Sequence, residues 1–498
     1  MTTQVDEPHP AIISEDILVL IFMHLSPEDL TLASLVCRLW SLLARNMLWK
    51  DYGATLSQVV ARLQGPNVVK AQDDDGRKLG LVEKEAWLAF NDQHAEMLRY
   101  LTLDVPLTQE LCDLLKQFIS DADNPGLPFP NLHALSIRPK AMNWADNAEF
   151  MSTLRYILTS PLVSFMIESH GPSQTICVDT ILQELTDLAP RLRHLKVFQA
   201  SSFGNFSGGF GAFKELKRLK ISDITYPAWK SLEGCPKLEE VVLYYNGDLW
   251  ADLAEIAGTV TLPSLHTLRL DVQSQSDAFS VVYIYPILMK TMMPLLRILQ
   301  LDMKNQWLQL QRVMLCLQED SPLIEELTSW HQCLDTSVMV EHLLPFEHLT
   351  SLTLILFSRG GPLKDAHAKH IAQKLPRLRE LCFRSGESGG DIALSDASLV
   401  ALARYTPLLK KTHVEMDLQD FVSPAHIDPD PSVQELETGV SNLSDEAILA
   451  FASFLTAMYL NVDTSSFSVA NAFGRVDQLN IPTAVINWFS KARGGDIR

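Results

Sequence analysis

Two hydrophobic patterns divide the chain. Near the amino terminus, seven consecutive apolar residues run from Ile17 to Met23, whereas beyond residue 90 apolar residues recur at spacings of three and then two. An ordinary half-exposed helix carries its apolar residues on one face only. The first pattern therefore predicts a helix that is covered on more than one side, and the second predicts a series of short buried strands.

Three short helices are predicted in the amino-terminal segment. Ser14 precedes two acidic residues and Ser26 precedes a proline, so each serine is predicted to cap a helix. The first helix is expected at about 15–24 and the second at about 27–35, and a third follows from about residue 37. So short a bundle cannot enclose all of its apolar side chains, and some of them need cover from elsewhere.

The first predicted helix has two apolar faces. One face holds Ile17, Leu20, Ile21 and Leu25 by their three- and four-residue spacing, whereas Leu18 and Phe22 lie on another. If one face packs internally, the other requires a partner. Each large side chain covered in this way contributes about 1.5–3 kcal/mol.

The order of these residues resembles an F-box. The resemblance rests on the following positions: Ile13, Asp16, Ile17, Leu18, Ile21, Phe22, Leu25, Asp29, Leu30, Leu35, Val36, Cys37, Trp40, Leu48 and Trp49. It implies binding to the small Skp-type linker protein of SCF-type cullin–RING ubiquitin ligases. By the resemblance, the residues that bind the linker are Ile13, Ile17, Leu18, Ile21, Phe22, Leu25, Leu30 and Val36, and those that hold the module together are Cys37, Trp40 and Trp49. Ser14 stands where the family usually has proline. The alternative is that these helices form a cap that seals the end of the following domain.

The second pattern predicts a repeat array. Twelve units begin 22 to 34 residues apart, at Leu98, Leu132, Leu162, Leu192, Leu216, Leu238, Leu265, Leu296, Ile324, Leu349, Leu378 and Leu409. This spacing is typical of leucine-rich repeats, in which each unit adds one parallel strand and one outer helix. The predicted fold class is therefore α/β: a three-helix F-box followed by an irregular leucine-rich-repeat solenoid with parallel strands on its concave face.

The domain boundaries follow from these patterns. We expect a disordered amino terminus over 1–12, the F-box over 13–52, and a connecting segment with a helix over 53–90. The solenoid is expected over 91–420, an acidic loop rich in Pro and Asp over 421–444, and a carboxy-terminal repeat or cap over 445–498.

A basic patch is predicted on the concave face of the solenoid. The strand residues between the buried leucines point to that face, and Lys196, Arg218, Lys220 and Arg269 are the candidates for binding a target protein. Clustered cations bind acidic or phosphorylated segments through charge-assisted hydrogen bonds. The alternative is a solvated face whose charges bind nothing specific.

The overall charge argues against a nucleic-acid or membrane partner. The chain has 60 acidic and 41 basic residues, a formal charge of −19, and broad binding to either partner needs a basic surface. The amino terminus lacks a secretion signal, and the seven cysteines contain no CxxC pair, so reduced thiols in the cytoplasm or nucleus are expected. No cofactor or metal is expected, because HAKH, with His367 and His370, lacks the glutamate of a metalloprotease helix.

Two hypotheses about function follow. The first is a non-catalytic adaptor of an SCF-type ubiquitin ligase, in which the F-box binds the linker and the solenoid binds a protein target. The second is a scaffold or regulatory repeat protein outside any ligase, whose amino-terminal helices bind another partner.

Overall fold

A computed structural model of the chain describes its amino-terminal bundle and most of its repeat strands. The described residues are 14–59, 96–104, 129–138, 154–155, 157–158, 161–169, 178–199, 209–222, 224–245, 259–272, 291–303, 323–333, 336–358, 362–385, 392–416, 433, 435–440, 454 and 468–470. The chain divides after Leu238 into two compact units.

Three short helices form the amino-terminal bundle, as predicted: α1 (Glu15–Phe22), α2 (Pro27–Ala33) and α3 (Arg38–Met47). A π-helical turn, Leu48–Tyr52, follows α3. Ser26 caps α2, because its side chain accepts a hydrogen bond from the backbone N–H of Asp29 at 3.2 Å. Ser14 occupies the cap position of α1 but makes no side-chain capping hydrogen bond there, so its predicted role is limited to its backbone.

The first unit continues as a parallel sheet. Its strands pair in sequence order: β1 (Ala54–Thr55), β2 (Tyr100–Leu103), β3 (Ala134–Ile137), β4 (Ser164–Ser169), β5 (His194–Gln199) and β6 (Arg218–Ser222). Helix α4 (Val178–Leu188) precedes β5, and α5 (Tyr226–Ser231) follows β6.

The second unit contains a parallel sheet of the same kind. Its strands pair in the order β7 (Glu240–Tyr245), β9 (Thr267–Val272), β11 (Ile298–Met303), β12 (Glu326–Cys333), β13 (Ser351–Ser358), β15 (Glu380–Ser385), β17 (Lys411–Met416), β18 (Glu435–Val440) and β19 (Ser468–Ala470). Two short pairs, β8 (Val260–Thr261) with β10 (Thr291–Met292) and β14 (Leu363–Lys364) with β16 (Ile392–Ala393), lie outside this sheet. The helices are α6 (Thr336–Leu343), α7 (Asp365–Lys374) and α8 (Asp396–Tyr405).

The repeat prediction is confirmed strand by strand. Each of the twelve predicted units contains a parallel strand that begins two residues after its first apolar residue. In the first such unit, Leu98, Leu101 and Leu103 are all buried. Alternate residues point to opposite faces of a strand, so the two later apolar positions enter the core while the residue between them faces outward.

The structure corrects one predicted loop. Residues 421–444 were expected to lack regular structure, yet β18 lies within them and pairs with β17 in register, with Thr412 opposite Leu436. Four other predictions lie outside the described residues: the amino terminus over 1–12, most of the connecting segment with its helix at 81–90, the loop at 421–432, and nearly all of 445–498.

The bundle is joined to the first sheet by a short, well-contacted segment. Tyr52 donates a hydrogen bond from its hydroxyl to the carbonyl of Leu25 at 2.8 Å. Gly53 follows with a φ of 75°, and its Cα packs against the backbone of Tyr100. Strand β1 pairs with β2, and Ser57 donates from its backbone N–H and its hydroxyl to the two carboxylate oxygens of Asp104, at 3.0 and 2.5 Å.

Candidate functional site

The bundle has a small core of its own. Phe22 is 0% exposed and lies at its centre, and the indole of Trp40 packs edge-on against the Phe22 ring with 5.3 Å between ring centroids. The remaining buried side chains of this core are Leu18, Leu30, Ala33, Leu43, Ala44 and Met47.

This core corrects part of the predicted linker-binding set. Leu18, Phe22 and Leu30 were assigned to the partner surface, but all three are buried against the bundle itself. The reason is that α2 and α3 pack on the Leu18 and Phe22 face of α1, which leaves the opposite face uncovered by the bundle. Cys37 is likewise corrected, because its side chain is exposed and it contributes a backbone carbonyl to the start of α3.

The opposite face of α1 is open. Ile17 and Ile21 are 43% and 50% exposed, and Leu20 lies between them on the same side of the helix. Val36, in the turn before α3, is 61% exposed. Leu25, Trp40 and Trp49 are partly exposed, and Ile13 lies outside the described residues.

Several exposed apolar residues of the bundle were absent from the predicted set. They are Leu20, Met23, Leu32, Leu35 and Leu42. An unbroken apolar run such as 17–23 signals that residues on both faces matter, but the sequence does not say which face the neighbouring helices cover. We call Ile17, Leu20, Ile21, Leu32, Leu35 and Val36 the bundle surface.

The predicted basic residues of the first unit lie side by side. Lys196 on β5 and Lys220 on β6 are register partners, as are His194 and Arg218. We call these four residues the basic strand patch. The Lys196 ammonium lies 2.6 Å from a carboxylate oxygen of Glu168 and 4.6 Å from the centroid of the Phe198 ring. Lys196 therefore already has an acid partner on the neighbouring β4.

Arg269 lies apart from these residues along the chain, on β9 of the second unit. Acidic and phenolic groups surround it, because Asp271 follows on the same strand and Glu240 and Tyr244 lie on the neighbouring β7. Burial and the charge of Asp271 raise the pKa of Tyr244, whereas Arg269 lowers it. Arg269 thus faces a mixed electrostatic environment.

The described residues offer little catalytic chemistry. Burial raises the pKa of the Cys235 thiol to about 12, and its sulfur donates to the carbonyl of Phe210 at 3.1 Å. His367 accepts a hydrogen bond from the backbone N–H of Lys364 at its Nδ1, at 3.2 Å, and its Nε2 lies 3.0 Å from the hydroxyl of Ser337. Both ring nitrogens are therefore engaged at the start of α7. Across the described part of the chain, no group of three His, Cys, Asp or Glu residues is placed to hold a metal ion.

The two cysteine environments predict different thiol reactivity. A buried thiol with a raised pKa is a poor nucleophile, whereas an exposed one is accessible to reagents. We expect iodoacetamide at pH 8 to label Cys37 in the folded chain and to leave Cys235 unlabelled, as measured by mass spectrometry of the digested protein. Equal labelling of both residues would contradict the burial of Cys235.

The amino-terminal bundle is an F-box-like domain. Residues 15–53 match the model of the F-box-like family. This match agrees with the boundaries of the three helices and the π-helical turn. Among curated proteins, none matches the sequence of this chain.

Three solved structures are similar to this chain. A TLR13–ssRNA13 complex shares 16% identity over 70% of this chain and 48% of the TLR13 chain, with a TM-score of 0.35, so this chain spans about half of that protein. The leucine-rich-repeat protein LegL7 from Legionella pneumophila shares 9% identity over 74% of this chain and 99% of its own, with a TM-score of 0.32. A structure of the Rad7 and Elc1 complex in yeast shares 14% identity over 93% and 94% of the two chains, with a TM-score of 0.30.

None of the helices among the described residues has both the length and the hydropathy to cross a bilayer.

Proposed function

We propose that this chain is the substrate-recognition adaptor of an SCF-type ubiquitin ligase, working in the cytoplasm or nucleus. The observation that carries the proposal is the exposed apolar face of α1 within a domain that matches the F-box-like family. Ile17, Leu20 and Ile21 would bury this face against a Skp-type linker protein. The outward face of the repeat strands would then hold a protein target.

The energetics of the bundle surface support a partner. Its six members are all at least 43% exposed, and this many exposed apolar side chains on so small a domain support an interaction site. Covering each such side chain would contribute about 1.5–3 kcal/mol. The core beneath, centred on Phe22, is already complete without the partner.

In this role the chain makes no covalent bond. It brings the target close to a ubiquitin-charged enzyme and so raises the effective concentration of the target lysines. The joint at Tyr52 and Gly53 serves that purpose, because it fixes the bundle to the first sheet strand.

The test is coexpression of the full chain with a Skp-type linker. We expect one-to-one co-elution in size-exclusion chromatography, and at least about 100-fold weaker binding for the double variant Ile17→Asp and Ile21→Asp, because two buried apolar contacts are replaced by charges. Both positions are exposed in the free chain. Their substitution should leave the far-ultraviolet circular dichroism spectrum unchanged.

The matched control is Leu408→Asp, which places the same charge at an exposed leucine of the repeats. This variant should bind the linker as the unaltered chain does. Co-elution that survives the double substitution on α1 would remove the adaptor role and favour the scaffold hypothesis.

A further inference from the structure

The first unit carries a compact cationic site on the outward face of its sheet. Lys196 and Lys220 face each other across β5 and β6, and His194 and Arg218 precede them by two residues on the same strands. All four side chains point away from the leucine core, because Leu195, Leu219 and Ile221 between and beside them are buried. Neighbouring strands lie about 4.8 Å apart, so the four groups occupy a small area.

The spacing along one strand defines a pattern for the ligand. Arg218 and Lys220 are two residues apart on β6, a separation of about 6.6 Å in an extended chain. A peptide in extended conformation lying along β6 repeats its own side chains on one face at that same interval. Two acidic residues with one residue between them would therefore meet Arg218 and Lys220 together.

The neighbouring strands supply contacts of a different kind. Met166 on β4 is the register partner of Lys196, and Phe198 lies beneath the Lys196 ammonium. Glu168 already binds Lys196 through a carboxylate oxygen at 2.6 Å, which shows that this face binds a carboxylate. The same carboxylate lowers the net positive charge next to β5, so the region is better suited to single negative charges than to a dianion.

The charge of the surrounding chain favours a peptide over a nucleic acid. Residues 191–220 hold seven Lys and Arg residues against one acid, Glu215, which pairs with Lys237 at 2.6 Å. This basic segment is confined to two adjacent repeats of a chain whose formal charge is −19. A nucleic acid would extend its phosphates well beyond so short a segment.

We infer that the basic strand patch binds an extended acidic segment of a partner protein, with carboxylates at alternate positions facing Arg218 and Lys220. An apolar residue of the segment lies beside Phe198 on the neighbouring β5. This inference rests on the proposed adaptor function only in naming the bound segment as part of the target; the site itself is defined by β4 to β6.

The test uses the full chain and fluorescein-labelled ten-residue peptides, with fluorescence anisotropy as the readout. A peptide with an acid–x–acid core next to leucine should bind, and a peptide of the same composition with its two acids adjacent should bind several-fold more weakly. The variant Arg218→Glu with Lys220→Glu should weaken binding about tenfold or more, since charged hydrogen bonds are lost and repulsion is introduced.

Matched controls separate this site from general electrostatics. Lys374→Glu with Lys369→Glu introduces the same charge change on α7, and should leave peptide affinity unchanged. An equally charged single-stranded oligonucleotide should bind more weakly than the acid–x–acid peptide. Equal or tighter binding of the oligonucleotide, or of a singly phosphorylated peptide without the acid pair, would overturn the inference, as would unchanged affinity in the Arg218 and Lys220 variant.

Linker binding is measured in the same preparations and distinguishes the two proposals. A chain that binds the linker but not the peptide would retain the adaptor role and lose the acidic-segment site. A chain that binds the peptide but not the linker would retain the site and lose the adaptor role.

Discussion

Replacing Phe22 by alanine is expected to destabilise the F-box-like bundle by about 3–5 kcal/mol, the usual cost of deleting a buried aromatic ring. Phe22 is fully buried, and Trp40 rests edge-on against it. The buried neighbours Leu18, Leu30, Leu43 and Met47 would line the cavity left by the ring. A unit of this size has little stability to spare.

Hydrogen exchange followed by mass spectrometry measures this effect locally. Peptides from residues 14–52 should lose nearly all protection in the variant, whereas peptides from β9 to β17 should keep theirs. Leu35→Ala is the control, because that side chain is 77% exposed and its loss should cost within about 0.5 kcal/mol. Normal protection of the bundle in Phe22→Ala would show that Phe22 is not at the centre of its core.

Replacing Gly53 by alanine is expected to destabilise the joint between the bundle and the first sheet by about 2–6 kcal/mol. Two costs add at this position. The backbone of Gly53, with a φ of 75° and a ψ of −168°, lies in a region essentially restricted to glycine and costs alanine about 1–3 kcal/mol. The added Cβ would also lie 2.4 Å from the carbonyl oxygen of Tyr100, a backbone atom held by β2, and such overpacking costs about 1–3 kcal/mol.

Gly209→Ala is the matched control for Gly53→Ala. Gly209 has a similar φ of 70°, but a Cβ there would meet only the side chain of Ser231, at 3.0 Å. We expect about 1–3 kcal/mol from backbone strain alone at this site. Equal losses for the two variants, measured by hydrogen exchange around each glycine, would show that the close approach to Tyr100 contributes nothing.

The functional expectation for Gly53→Ala follows from the proposed adaptor role. Ile17 and Ile21 are remote from the substituted atom along the chain, so linker co-elution should persist. A loosened joint no longer fixes the orientation of the bundle relative to the first sheet. The rate of ubiquitin transfer to a bound target should therefore fall. A fall in linker binding of the same size would place the defect in the bundle itself.

The sequence predicted the repeats well because their pattern reports burial directly. At each unit the leucines alternate with outward residues, and a one-residue error in register would expose the whole leucine set. The strand β18 escaped prediction because its sequence, Glu435–Val440, contains two acids and a glycine, which obscure the apolar pattern of the other repeats. The acidic composition of residues 421–444 was therefore a poor guide to their secondary structure.

The exposed apolar face of the bundle was predicted less well, for a physical reason. In an unbroken apolar run every residue satisfies the hydrophobic criterion, so spacing separates Leu18 and Phe22 from Ile17 and Ile21 without saying which pair faces inward. That choice depends on where α2 and α3 pack, which is a tertiary property. The position of the basic residues of β5 and β6 was easier to predict, because strand alternation alone places them on the outward face.

Strand alternation also places the buried leucines, which hold the repeats together, and the outward side chains on opposite faces of the sheet. Leu195 and Leu219 can stay unchanged while Lys196 and Lys220 are exchanged for side chains of any size or charge, since the two sets never share a face. In the proposed adaptor role, the target-binding side chains can therefore change one outward position at a time while the leucine core stays the same.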